Sequence, residues 1–174
     1  YVREGEGLYL GSTGGQHARF IDTELEHIFI YNKGRDGIQL NNHSDFTLKK
    51  FTTYLVGQST LALSQVPAEQ RNHIQIQNST GLVEDGICWG ALRGWNIFAH
   101  GVTIRNVTFY ITGNNNSSGQ RAYIGKASTA YPGSPQLTGE PIIFENCHFG
   151  SDAAVDYFTT IAEDGVDIFF INCT

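Results

Sequence analysis

The sequence has no methionine, and only three cysteines and four prolines among its 174 residues. It also has no cluster of Lys and Arg, and each shortage excludes something. Three cysteines are too few for a disulfide scaffold. The formal net charge of −6 is spread along the chain, with no basic stripe to neutralise phosphates, which argues against a nucleic-acid partner. No run of about 18 apolar residues is present to span a bilayer, and the opening YVREGEG lacks a signal-peptide pattern. No stretch of a dozen residues keeps an apolar stripe at helical spacing, so helix should be nearly absent. The missing methionine, initiator included, predicts a piece processed or excised from a longer precursor.

What remains is a chain that is 40% apolar, with 20 glycines and many aromatic and β-branched residues. This is enough for one core, read as a single domain over residues 1–174. An apolar residue, a variable residue and an asparagine recur at Ile30-Tyr31-Asn32, Ile76-Gln77-Asn78, Ile104-Arg105-Asn106, Phe144-Glu145-Asn146 and Phe170-Ile171-Asn172. A sixth copy ends in Lys50, because residues 46–54 (FTLKKFTTY) align without gaps on residues 102–110 (VTIRNVTFY). The copies lie 18, 28, 28, 40 and 26 residues apart. That spacing excludes a fixed-length helical repeat and fits a solenoid whose strands are constant while its loops vary.

Within each copy a period-2 pattern points Ile28 and Ile30, Phe46 and Leu48, Ile74 and Ile76, Val102 and Ile104, Ile142 and Phe144, and Ile168 and Phe170 one way, as an inner stack. Short strands at residues 8–10, 38–40, 61–63, 87–89 and 123–124 are expected at another phase of the coil. Residues 114–120 and 126–141 read as protruding polar loops. The expected fold is all-β, a parallel β-solenoid of about six coils with the asparagines Asn32, Asn78, Asn106, Asn146 and Asn172 stacked in one column.

The stacked strands and the asparagine column resemble the right-handed parallel β-helix superfamily that includes pectate lyases and many secreted or surface proteins active on polysaccharides. The resemblance covers essentially the whole chain. It implies that each ladder amide hydrogen-bonds backbone groups of its own and adjacent coils, and it implies an extracellular or cell-surface setting. It says almost nothing about function.

Candidate chemistry is sparse. Glu6, Asp36 and Asp85 each precede a glycine, and Glu6 and Asp36 on adjacent coils would place carboxylates about 5 to 6 Å apart, near enough to share Ca²⁺ or to act as a glycosidase pair. The lyases of the resembled superfamily pair acidic Ca²⁺ ligands with a basic residue, for which Arg35 and Lys50 are the candidates. The same acidic-Gly dipeptides are also ordinary turn sequences. His27 and His73 are too far apart to ligate one metal, and no cofactor other than Ca²⁺ is suggested. Trp89, Trp95, Tyr123 and Tyr131 offer either a sugar-stacking surface or packing beneath a loop. Sequons at Asn42, Asn115 and Asn116 fall in expected loops, whereas those at Asn78, Asn106 and Asn172 belong to the ladder and should be inaccessible. Cys147 and Cys173 each follow a ladder asparagine, so stacking leaves them as either a disulfide or two buried thiols.

The chain shows no evident cap, and its end continued into its start parallels residues 76–87. Outward positions Phe29, Thr47, Gln75, Thr103, Ile143 and Phe169, with Tyr31 and Ile171, concentrate apolar side chains at the two ends of the column. The reading is a structural subunit of an extracellular β-helical fibre or surface assembly, stacking head to tail and covered laterally at Phe29, Tyr31, Ile143, Phe169 and Ile171 by another copy or by a polysaccharide. The alternatives are a secreted polysaccharide lyase or glycoside hydrolase core, and a glycan-binding adhesin module.

Overall fold

The computed structural model describes residues 5–11, 20–56, 71–91, 93–111, 122–125, 140–151, 159–161 and 167–174. Every regular element among them is a strand, and every pairing is parallel. No helix among the described residues is long and apolar enough to cross a membrane. With strands numbered in chain order, one six-stranded sheet runs β1 (Leu8–Leu10), β5 (Ile38–Asn41), β8 (Asn72–Gln77), β10 (Arg93–Phe98), β12 (Ala122–Gly125) and β15 (Thr159–Ile161). An eight-stranded sheet holds β3 (Glu24–Glu26), β4 (Phe29–Tyr31), β7 (Phe46–Tyr54), β9 (Gly81–Ala91), β11 (Val102–Ile111), β13 (Ile142–Glu145), β14 (His148–Ser151) and β16 (Ile168–Ile171). A small third sheet pairs β2 (Phe20–Ile21) with β6 (His43–Ser44). The chain visits the two large sheets in turn, and in two of these circuits a pair of short strands, β3 with β4 and β13 with β14, takes the place of one long strand in the eight-stranded sheet.

The register is set residue by residue. Phe46 and Val102 both face Gly81, and Tyr54 and Tyr110 both face Trp89, so the gapless alignment of residues 46–54 on 102–110 holds in space through β9. In β7 the inward residues are Phe46 and Leu48, then Phe51 and Thr53: the alternation slips by one at Lys50, which has φ 51°. A left-handed residue inside an extended run turns the strand, and it does so at the same level in every circuit. His27, Lys50, Asp85, Asn106, Asn146 and Asn172 form that column, all with φ between 51° and 58°.

This corrects the single asparagine ladder. Asn106, Asn146 and Asn172 do share a column, but Asn32 lies after β4 beside Leu55 and Gly90, and Asn78 follows β8 beside Asn42 in the other large sheet. The shared column is exposed rather than buried, and Asn106 donates its amide to Asp85 Oδ1 (3.1 Å) rather than to backbone. What recurs at this position is tolerance of positive φ, for which Asn and Asp are enriched, and Lys50 and His27 occupy the column on the same terms. Of the sequons expected to be inaccessible, Asn106 and Asn172 are therefore exposed, while Asn78 is buried.

The inner stack divides in the same way. Leu25, Leu48, Val83, Ile104, Phe144 and Phe170 form one inward column of the eight-stranded sheet. Ile74 and Ile76 instead continue Ile38 and Leu40 in the six-stranded sheet, and Ile87 belongs to the eight-stranded one. Trp95 fills the centre, its ring centroid 4.9 Å from Phe109 and 4.7 Å from Phe144. Gly86 is required there, since a Cβ would lie 2.2 Å from the Phe51 ring. Residues 61–63 and the greater part of both expected loops, Asn115 and Asn116 included, lie outside the described residues.

Candidate functional site

The register of β1 on β5 places Glu6 opposite Asp36, with the Gly7 amide donating to the Asp36 carbonyl (2.8 Å) and Arg35 ion-paired to Glu6 (3.5 Å). The expected neighbours are therefore brought together, but not as a catalytic pair. Asp36 is only 1% exposed, and its Oδ1 accepts both the backbone N–H and the Nδ2–H of Asn72, each at 2.8 Å. Burial pushes its carboxyl up to about 7, against the pull of the Asn72 hydrogen bonds towards the ionised form. A sealed carboxyl that satisfies a neighbouring strand is poorly placed to share Ca²⁺ with Glu6 or to act with it as a glycosidase pair.

Asp85 and Lys50 sit elsewhere, in the left-handed column of the eight-stranded sheet. There Lys50 Nζ is 2.7 Å from Glu26 Oε1 and holds Glu26 below the usual carboxylate range. The five candidates thus divide into two groups on different sheets, and no cluster of metal-binding side chains occurs among the described residues. Beside the left-handed column runs a charged one, Glu26, Lys49, Glu84, Arg105 and Glu145, alternating in sign from circuit to circuit. Arg105 closes on Glu84 at 2.7 Å. Alternation is what neighbouring positions in a parallel stack require, since like charges side by side repel.

His73 is buried between the sheets. The Ala91 amide donates to its Nε2 (3.1 Å), so Nδ1 carries the proton and donates to Thr53 Oγ1 (2.8 Å). Burial drives its pKa down to about 3, keeping the ring neutral. His27, by contrast, is exposed in the other sheet, so the two histidines do not converge. Asn42 is half-buried in the tight connection from β5 to β6, its backbone N–H donating to the Gln77 carbonyl (3.0 Å), so this sequon lies in a turn rather than a loop.

The feature that sequence reasoning missed lies on the outer face beyond the left-handed column. Tyr31, Tyr54, Trp89 and Tyr110 occupy one outward position in successive circuits, and Phe29, Thr52, Ile87 and Thr108 occupy the next. Trp89 stacks on Tyr110 (3.9 Å, 6°) and Tyr31 on Tyr54 (6.0 Å, 17°). Phe29 is 70% and Ile87 52% exposed, and half of the exposed large hydrophobic residues among those described fall in this strip. The strip carries no Lys, Arg, Asp or Glu. The alignment of Tyr54 with Tyr110 carries the signal, but grouping Trp89 with Trp95, which is fully buried, hides it.

The expected apolar stripe is only partly there. Thr47, Thr103, Ile143 and Phe169 share an outward column with Leu82, but Phe29 lies beyond the turn and Gln75 is buried in the other sheet. Ile143 is half-buried, while Phe169 and Ile171 are exposed on β16. No family model, curated protein or solved structure matches the chain.

Proposed function

We propose that the chain is a structural module of an extracellular or cell-surface assembly, a right-handed parallel β-helix that packs side by side with further copies through the strip of Phe29, Tyr31, Tyr54, Ile87 and Trp89. The parallel, in-register stacking of both large sheets supports the β-helix. The strip supports the association: a contiguous uncharged apolar and aromatic face is costly to leave in water and carries no charge to desolvate. A face ribbed at the spacing of β-strands matches ribs of the same spacing, which an identical face presents.

Head-to-tail stacking draws less support. Continuing the register from β16 to β3 of another copy sets Phe169 against Glu24 and Ile171 against Glu26, apolar side chains on carboxylates. The lyase or hydrolase alternative loses its central pair with the sealing of Asp36.

Sedimentation velocity over a range of concentrations tests the reading. Self-association is expected for the native chain, weakened at least tenfold by Ile87→Lys or Phe29→Lys and unchanged by Thr103→Lys on the charged face. A native chain that stays monomeric at every concentration overturns it. If neutral polysaccharides then quench the exposed Trp89, the strip belongs to the glycan-binding reading instead.

A further inference from the structure

Cys147 and Cys173 occupy matching positions in consecutive circuits. The pairing of Glu145 with Ile171 carries through the left-handed Asn146 and Asn172 to the two cysteines, and the Thr174 amide donates to the Cys147 carbonyl (3.0 Å). Their thiols repeat one arrangement. Cys147 Sγ donates towards Ile104 O of the preceding circuit (3.4 Å) and Glu145 O (3.5 Å), and Cys173 Sγ towards Phe144 O of its preceding circuit and Ile171 O (both 3.5 Å). Directly opposed residues of adjacent parallel strands have Cα atoms roughly 4.8 Å apart, inside the window a disulfide spans.

From this geometry we infer that Cys147 and Cys173 are a dithiol that closes to a disulfide, with a small-molecule disulfide such as oxidised glutathione as the oxidant. Cys173 is half-buried and Cys147 buried, which fixes the order of events. The Cys173 thiolate attacks a glutathione sulfur and releases one glutathione thiolate. The Cys147 thiolate then attacks Cys173 Sγ in the mixed disulfide and releases the second. The two protons lost by the cysteines pass through solvent to the two glutathione thiolates, and the two electrons from the cysteine sulfurs reduce the oxidant. Burial pushes the Cys147 thiol up to about 11, which lowers the fraction of thiolate available for the second step. Cys88, fully buried and pushed up to about 12 by burial, takes no part. The bond would tie edge strand β16 to β13, closing the segment between positions 147 and 173.

The test equilibrates the native chain across oxidised-to-reduced glutathione ratios, traps free thiols with N-ethylmaleimide under denaturing conditions, and maps peptides without reduction. Alkylation is expected to fall from three thiols to one, with Cys147 linked to Cys173 and amide exchange in β16 slowed at least tenfold. Cys147→Ser should stop at a glutathione adduct on Cys173. Three alkylated thiols at every ratio, a native adduct that never resolves, or dimers bridged through Cys173 would each overturn the inference.

Discussion

Replacing Asp36 by asparagine should stabilise the protein at pH 8 and change how its stability depends on pH. The side chain is sealed, and Oδ1 receives two hydrogen bonds from Asn72 that an asparagine oxygen can also accept. In the folded state the carboxyl titrates near 7 rather than at its ordinary 3.8. A group whose pKa is raised by folding contributes stability below its unfolded pKa and loses it as pH rises through the folded value. Here that means a loss of about 1.4 kcal/mol per unit across roughly three units, on the order of 4 kcal/mol between pH 4 and pH 7. His73 acts in the opposite sense. Its pKa falls from 6.5 to about 3, so its contribution is present above the unfolded pKa and lost as pH falls through the folded one. The two slopes nearly cancel in the native protein between pH 4 and 6.5, whereas Asp36→Asn leaves only the His73 slope. Urea denaturation at pH 4.5, 6 and 8 reads both. The variant should gain on the native protein by roughly 3 to 4 kcal/mol between the extremes, and its own stability should rise with pH where the native profile is flat. An equal difference at all three values, or a variant less stable at pH 8, would refute the reasoning, because Asp36 would then be ionised and held by its hydrogen bonds.

Trp95→Ala should cost about 3 to 5 kcal/mol in chemical denaturation, because the ring is fully buried among Phe109, Phe144 and Phe149. Gly86→Ala sets a Cβ against the Phe51 ring and should cost about 1 to 3 kcal/mol, with Phe51→Leu in the same chain recovering part of the loss. Asn106→Ala should cost about 1 kcal/mol and Asn106→Gly close to nothing, a contrast measured by thermal unfolding that separates left-handed strain from loss of an amide hydrogen bond.

The strand pattern was legible because it rests on local alternation: Phe46, Leu48, Val102, Ile104, Ile142 and Phe144 all point inward as period 2 demands. Which circuit position each strand occupies was harder to read. Ile28-x-Ile30 and Ile74-x-Ile76 have the same local pattern as the true column, and an asparagine after them ends a strand at other turns just as well, since each of these corners needs a left-handed residue. Lys50 is legible as an equivalent of Asn106 through the gapless alignment of residues 46–54 on 102–110, but Asp85 and His27 are not, because the column selects a backbone conformation rather than an amide. Of the candidate site, the approach of Glu6, Arg35 and Asp36 was readable from the dipeptides, but burial was not, since it depends on strands far away in sequence. The aromatic strip needed the correct register before Tyr31 and Trp89 could join Tyr54 and Tyr110.

The lateral contact itself is tested most directly by paramagnetic broadening between molecules. A Thr108→Cys chain in a Cys173→Ser background, spin-labelled at position 108, is mixed with an unlabelled-cysteine chain enriched in nitrogen-15. The account predicts broadening of the amides of Phe29, Tyr54, Ile87 and Trp89 in the second chain, with Thr47 and Thr103 unaffected. No intermolecular broadening, or broadening centred on the charged column of Lys49, Glu84 and Arg105, would contradict it.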